Sequence, residues 1–377
     1  MAAATSSSSW LHPDMVVTIT HQISFLLTGL STTLGTQFLF YSGAATGDSY
    51  LTQLAQYTGM VLVGLIIPII LSRQKQQYTS VATTDDADDV ANRISMDVLD
   101  EDEEKPASPT ETTMKASKIS DGPIPHKSVM KLALLDVMAN FSVTMGFAAI
   151  GSGMYQVIYS SVVIWCAILT YFLMGRTLSK LQWFAIFGTS AGLALSSLGS
   201  FETPDKNSSS GAMSLTTGTL LTMVGTFGYS CMYVYSDHIL SKQIPSPLPA
   251  RVCFTTGIYA TVLALVWIAA YTLPRFDTLI QIQPSVSISS VWGMYALVAL
   301  SNTIHSYNYY ELIDRTGNVA TGILQGLRAI LVYGISHAWY CSIDAAQCFT
   351  AYKGCGSILV IGCVLLFTVG GGGRKKK

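Results

Sequence analysis

The chain alternates long apolar stretches with short polar punctuation. Ten apolar windows can be drawn, at 18–42, 51–72, 130–149, 152–174, 181–200, 213–236, 252–272, 287–310, 318–340 and 350–370. Each is a continuous run close to the roughly 20 residues that an α-helix needs to cross a hydrocarbon core of about 30 Å. The short alternating strands of an outer-membrane barrel would leave a different pattern. The expectation is an all-α membrane protein with about ten transmembrane helices. The first window carries His21, Gln22 and several Thr, and the eighth carries Asn302, His305 and Asn308. A helix as polar as the eighth cannot face lipid on every side, so it should line something wet.

These windows divide the chain into an N-terminal tail (1–17), helices one and two (18–72), a polar loop (73–128), helices three to five (129–200), a linker (201–212), helices six to ten (213–370) and a basic tail (371–377). Five windows precede residue 205 and five follow it. Five is odd, so two homologous halves would lie inverted with respect to each other, an arrangement many secondary transporters use. The sequence trace of such a repeat is slight. Tyr155 to Gly175 and Gly322 to Cys341 are each followed by a short polar turn and a Gly-containing span.

Composition sharpens the class. Of 377 residues, 50% are hydrophobic and 11% charged, against about 25% charged in soluble domains. The 31 Gly have no three-residue period, the seven Cys are dispersed, and a net charge of −1 offers no footprint for nucleic acid. Collagenous, wholly disordered, disulfide-scaffold and nucleic-acid-binding readings all fall away.

Most of the charge is local. The 73–128 segment holds 12 acidic and 7 basic residues, four Pro and many Ser and Thr, a composition that predicts a disordered loop. With a cytosolic N-terminus, 17 of the 21 Lys and Arg fall on the cytosolic side, only Lys206, Arg275 and Lys353 fall opposite, and Arg328 lies within a span. The positive-inside rule then keeps both termini in the cytosol. The start lacks a basic n-region, so the first span is expected to act as the insertion signal.

That topology puts the sequon Asn207-Ser208-Ser209 outside the cytosol as a glycosylation candidate, whereas Asn140-Phe141-Ser142 is intramembrane and should be inert. A glycan on Asn207 would support the topology, and a mapped cytosolic 200–212 loop would sink it. Cys341 and Cys348 share a non-cytosolic loop, where they are a candidate disulfide or two free thiols. Tyr78-Thr79-Ser80-Val81 fits a short sorting pattern, and the acidic run 97–104 is a solvated charge face or a site for a basic partner. The end, four Gly then Arg374-Lys375-Lys376-Lys377, is a headgroup anchor or a dibasic retrieval signal.

Ionisable residues inside spans each cost about 2.5–3.5 kcal/mol at the helix centre, so each calls for a role. Asp136 lies near the start of the third span with Asn140 at i+4. It is a proton or cation site, a solute-orienting group, or a capped carboxylate paired to a neighbouring helix. Arg328 sits mid-span with Gln325 on the same face. Its guanidinium cannot shed its proton and suits carboxylate or phosphate. Substrate contact or gating, a permanent salt bridge to Asp136 or another carboxylate, and snorkelling are its three readings. Tyr155, Gln156 and Tyr159 could stack on and hydrogen-bond a planar ligand, with an interface belt as the alternative for Tyr155. Tyr229 and Tyr233 share a face of the sixth span. Asn302 and His305 line the eighth, where His305 either titrates or bridges helices. Gly322 with Gly326, and Gly188 with Gly192, are small-residue stripes suited to helix packing. The sequence holds no metalloprotease, phosphate-loop or nucleophile-elbow motif and no Cys/His metal cluster. It gives no reason to expect an enzyme, a cofactor or a metal; His12 and His21 are a weak pair.

With these residues laid out, the chain resembles the drug/metabolite transporter superfamily, and within it the F subgroup of solute carrier family 35, which is similar to the nucleotide-sugar transporters. The resemblance rests on Ala133-Leu134-Leu135-Asp136, Gln156, Gly175-Arg176, Gln182-Trp183 and Leu324-Gln325-Gly326-Leu327-Arg328. The chain departs from the subgroup at Tyr159, where a basic residue is common, and at Gln325, where an acid is common. The resemblance implies two inverted five-helix repeats around a central cavity. It implies transport or exchange of a small organic solute across an endomembrane (Golgi, endoplasmic reticulum, lysosome or vacuole), with Arg328, Gln156 and Asp136 as the central polar set. The partners in view are that solute, the lipid bilayer, a second copy in a homodimer, and sorting machinery at the 73–128 loop or the C-terminal tail. Two rivals stay open: a proton-coupled exporter of neutral or cationic solutes, and a non-transporting scaffold or receptor of the same fold.

Overall fold

A computed structural model describes residues 13–73, 122–159, 161–201, 215–342 and 348–371. Asn207, the body of the acidic loop and the basic tail lie outside the described residues, as do the side chains of Tyr155 and Gln156. The described chain is all-helical. Its long helices are α1 (Pro13–Tyr41), α2 (Leu51–Leu62), α3 (His126–Tyr159), α4 (Val162–Met174), α5 (Lys180–Phe201), α6 (Leu215–Lys242), α7 (Pro249–Trp267), α8 (Ile288–Thr316), α9 (Asn318–Tyr340) and α10 (Ala351–Gly371). A 3-10 turn, Val63–Leu65, carries α2 on into 67–73, and a π turn, Ile268–Thr272, extends α7 toward a short helical turn at Phe276–Leu279.

Local chemistry sets the ends. Pro249 opens α7 where its missing N–H costs nothing. At the start of α8, the Ser290 N–H donates to the Ser287 hydroxyl over 3.1 Å. Gly175 at φ 63 closes α4, and Gly317 at φ 85 separates α8 from α9. Helices six and eight run past their windows, to Lys242 and Thr316, and the boundary between the third and fourth windows is displaced. The turn expected between the third and fourth spans near residue 150 is absent, and α3 runs on to Tyr159. Gly151 and Gly153 do not break the helix, because glycine weakens a helix without forbidding it.

Five of these segments are long and apolar enough to cross a membrane: Met15–Tyr41, Leu51–Arg73, His126–Gly146, Pro249–Leu279 and Asn318–Trp339. Val162–Met174 and Ala351–Phe367 are shorter apolar helices. The outer faces are apolar and large, with Leu220, Met223 and Phe227 on α6 and Trp292, Leu297 and Leu300 on α8 all exposed. The interior combines a hydrophobic core, with Phe25, Leu132 and Leu312 among its members, with buried hydroxyls and amides at Thr222, Thr226, Ser230, Ser236, Asn302 and Ser306. An exterior this apolar suits a lipid solvent, and small buried residues let helices pack closely. Hydroxyls in α1 are absorbed by the helix itself, since Thr28, Thr32 and Thr33 donate to the carbonyls of Ser24, Thr28 and Gly29 over 2.6, 3.0 and 2.8 Å.

The most extensive packing joins α3 to α6, α5 to α10, α1 to α8, and α2 to both α7 and α8. In the α5–α10 seam the backbones approach closely. A Cβ on Gly192 would lie 2.7 Å from Val360 and 2.8 Å from the Gly356 carbonyl, so this stripe serves packing. Beyond α9, Cys341 and Cys348 are joined by a disulfide, and the buried Lys353 ammonium donates to the Cys348 carbonyl over 2.7 Å.

Candidate functional site: a guanidinium among tyrosines

Arg328 lies on α9 and Asp136 on α3, and both are within the electrostatic reach of Tyr159. Among the described residues no ion pair joins Arg328 to a carboxylate; the pairs present are Arg176–Asp237 and Arg315–Glu311. A permanent Arg328–Asp136 salt bridge is therefore not formed in this structure.

Arg328 projects from α9 toward α1 and α8. The gap it enters exists because residue 29 lacks a side chain: a Cβ there would lie 2.8 Å from Arg328 Cδ and 2.7 Å from His305 Cε1. His305 stacks on Phe25 with ring centroids 4.2 Å apart, and its Nδ1 lies 3.0 Å from the Phe25 carbonyl. It thus bridges α8 to α1 while facing the guanidinium. One turn before Arg328, the Gln325 amide donates to the Tyr233 hydroxyl of α6 over 2.7 Å. Tyr233 meets Tyr309 edge-on at 4.9 Å, Tyr309 meets Tyr310 at 5.0 Å, and Tyr159 meets Tyr229 at 6.0 Å. Tyr159 and Tyr233 both lie within the electrostatic reach of Arg328. The result is a half-buried permanent cation beside His305, with tyrosines of α3 and α6 within its electrostatic reach.

Asp136 is buried on α3. Asn140 donates to its carboxylate over 3.4 Å and to the Tyr57 hydroxyl over 3.1 Å. Tyr57 and Tyr50 are 3.3 Å apart at their hydroxyls, and Tyr50 donates to the Val137 carbonyl over 3.0 Å. The spacing of Asp136 and Asn140 put them on one helical face, but Tyr50 and Tyr57 were not singled out. The available signal was Gln53 and Tyr57, four apart in an apolar window; Gln53 donates to Thr144 of α3 over 3.0 Å. Asn302 donates to the Gln56 carbonyl over 2.6 Å and to Ser306 over 3.1 Å, and so cross-links α8 to α2. His21 and Asn308 join α1 to α8 in the same way, at 2.6 Å.

A third cluster was missed because the sixth window was ended at residue 236. The helix continues to Lys242 and carries Asp237, only 2% exposed. Arg176 donates to both Asp237 oxygens over 3.0 and 2.8 Å, and the Asn318 N–H donates to one of them over 3.2 Å. One carboxylate thus neutralises the arginine of the α4–α5 turn and caps α9. Asp237→Ala loses the cap and the pair, and the half-exposed Arg176 can rehydrate. The expected cost is about 2 kcal/mol, read as a fall of several degrees in thermal unfolding, with Asp237→Asn in between. An unchanged midpoint would remove the cluster's structural role.

Fold and interior together define the class: an all-helical membrane protein with a buried, polar, aromatic centre. No protein-family model matches the chain, and no curated protein matches it. A solved protein crystal structure aligns with a TM-score of 0.55 over 94% of this chain and 97% of that one, at 14% identity. Likeness at that identity is one of fold alone.

Proposed function

We propose that the protein is a secondary carrier that moves or exchanges a small organic anion by alternating access. The reading holds that all ten helices span the bilayer as two inverted five-helix repeats, in the manner of the drug/metabolite transporters and the F subgroup of solute carrier family 35. The packing supports the repeat. Exchanging the first five helices with the last five turns the α3–α6 contact into α8–α1, α2–α8 into α7–α3, and α4–α6 into α9–α1, while α5–α10 and α2–α7 map onto themselves. Both termini face the cytosol and the membrane is an endomembrane.

The observation that carries the reading is Arg328. A guanidinium within an apolar span, without a carboxylate partner among the described residues and with tyrosines in its electrostatic reach, is what an anion-binding site needs. Purified protein in proteoliposomes should show saturable counterflow uptake from a metabolite panel. No counterflow from any anion in that panel would count against the carrier.

A proton-coupled version is favoured by one further observation. Asp136 is buried among neutral hydrogen-bonding groups, with no basic partner among the described residues. Uptake that responds to a pH gradient in the wild type and loses the response in Asp136→Asn would place coupling there. Unaltered gradient dependence in Asp136→Asn would remove it from that role.

A further inference from the structure

We propose that Gln325 and the tyrosines beside it form a second recognition point, which selects a planar organic anion carrying an N–H or O–H donor away from its charge. This rests on the reading of Arg328 as the anion contact. Gln325 is 8% exposed, and its Nε2 is committed to Tyr233. Its Oε1 is buried without a hydrogen-bond partner. A buried carbonyl oxygen with no donor is costly, and it sits one helical turn from the guanidinium on the same face, so a bound solute is the group placed to satisfy it. An amide oxygen only accepts, so the solute must donate there. Tyr309, 7% exposed, packs its ring edge-on against Tyr233 beside this amide. Aromatic rings this close to the amide favour a flat solute, which packs against them with little loss of its own freedom.

The two points impose opposite polarity, with charge accepted at Arg328 and a donor accepted at Gln325. An inorganic anion is too small to use both, and a cation is repelled by the first. An uncharged planar solute forgoes the charge-assisted contact, which is the stronger of the two.

The test uses the full-length protein in lipid nanodiscs and three probes: benzoate, 4-aminobenzoate and 4-acetylbenzoate, titrated calorimetrically. Wild type should bind 4-aminobenzoate about 10-fold more tightly than benzoate, the scale of one hydrogen bond to an otherwise unsatisfied group. Gln325→Leu should bind both equally and Arg328→Met should bind neither. Gln325→Met and the thermal midpoint of every variant separate lost recognition from lost folding. Equal affinities in wild type, or a preference for 4-acetylbenzoate, would overturn the Gln325 assignment and leave Arg328 as an anion contact if Arg328→Met still loses binding. Undiminished binding by Arg328→Met would overturn the underlying carrier-site reading. Failure of all three probes to bind wild type would overturn the solute class.

Discussion

Arg328→Ala should reduce counterflow uptake to background while the purified protein remains monodisperse and folded. Hydrogen bonds to a charged group contribute about 1.5–3 kcal/mol each, and a guanidinium fork makes two to a carboxylate or phosphate. Losing both is a drop on the order of 10²–10⁴ in solute affinity. The fold should survive, because Arg328 holds no carboxylate among the described residues and its removal strands no buried anion. Arg328→Lys keeps the charge and loses the fork, so an intermediate rate is expected. Wild-type uptake by the alanine variant would end the proposed role of this residue.

The second large effect concerns stability. Gly59→Val should lower the thermal unfolding midpoint by on the order of 10 °C or prevent recovery of monodisperse protein. A Cβ at Gly59 would press on the Ala299 carbonyl and stand 3.0 Å from both Asn302 Cβ and the Thr303 nitrogen. Backbone cannot swing aside as a flexible side chain can, so α2 and α8 must part, and overpacking of this kind costs about 1–3 kcal/mol. Parting them also breaks the hydrogen bond from Asn302 to the Gln56 carbonyl, which leaves a buried amide at about 1–3 kcal/mol more. Gly293→Val on α8 is the control, since nothing lies within 4 Å of its added Cβ. Equal midpoints for the two variants would show that the helices do not depend on this approach.

What could be read from the sequence follows from the range of each interaction. Apolar runs report burial in lipid one residue at a time, so the helical class and its approximate segments were visible. Asp136 and Asn140 were legible as a pair because helix geometry alone brings i and i+4 together. Tyr57 reaches them from another helix, across 83 residues in the case of Asn140, and no local period encodes that meeting. Arg328 was conspicuous as a charge in an apolar run, yet its surroundings depend on Gly29, whose contribution is the absence of a side chain. Asp237 was missed because it lies one residue past the window ended at 236, and its burial against Arg176 comes from a meeting of separate helices. The turn expected near residue 150 failed because small residues permit a break without requiring one.

Gly317 gives the molecule a pivot. One residue, at φ 85, is all that divides α8 from α9, and the Asp237 carboxylate grips the first N–H beyond it. A joint one residue wide can turn but cannot lengthen, so a tilt of α8 is expected to swing α9 about a fixed point. Arg328 lies eleven residues along that arm, roughly 16 Å at 1.5 Å per residue. A rotation of a few degrees at the joint would then displace the guanidinium by about 1 Å, enough to make or break the proposed contact with an anion.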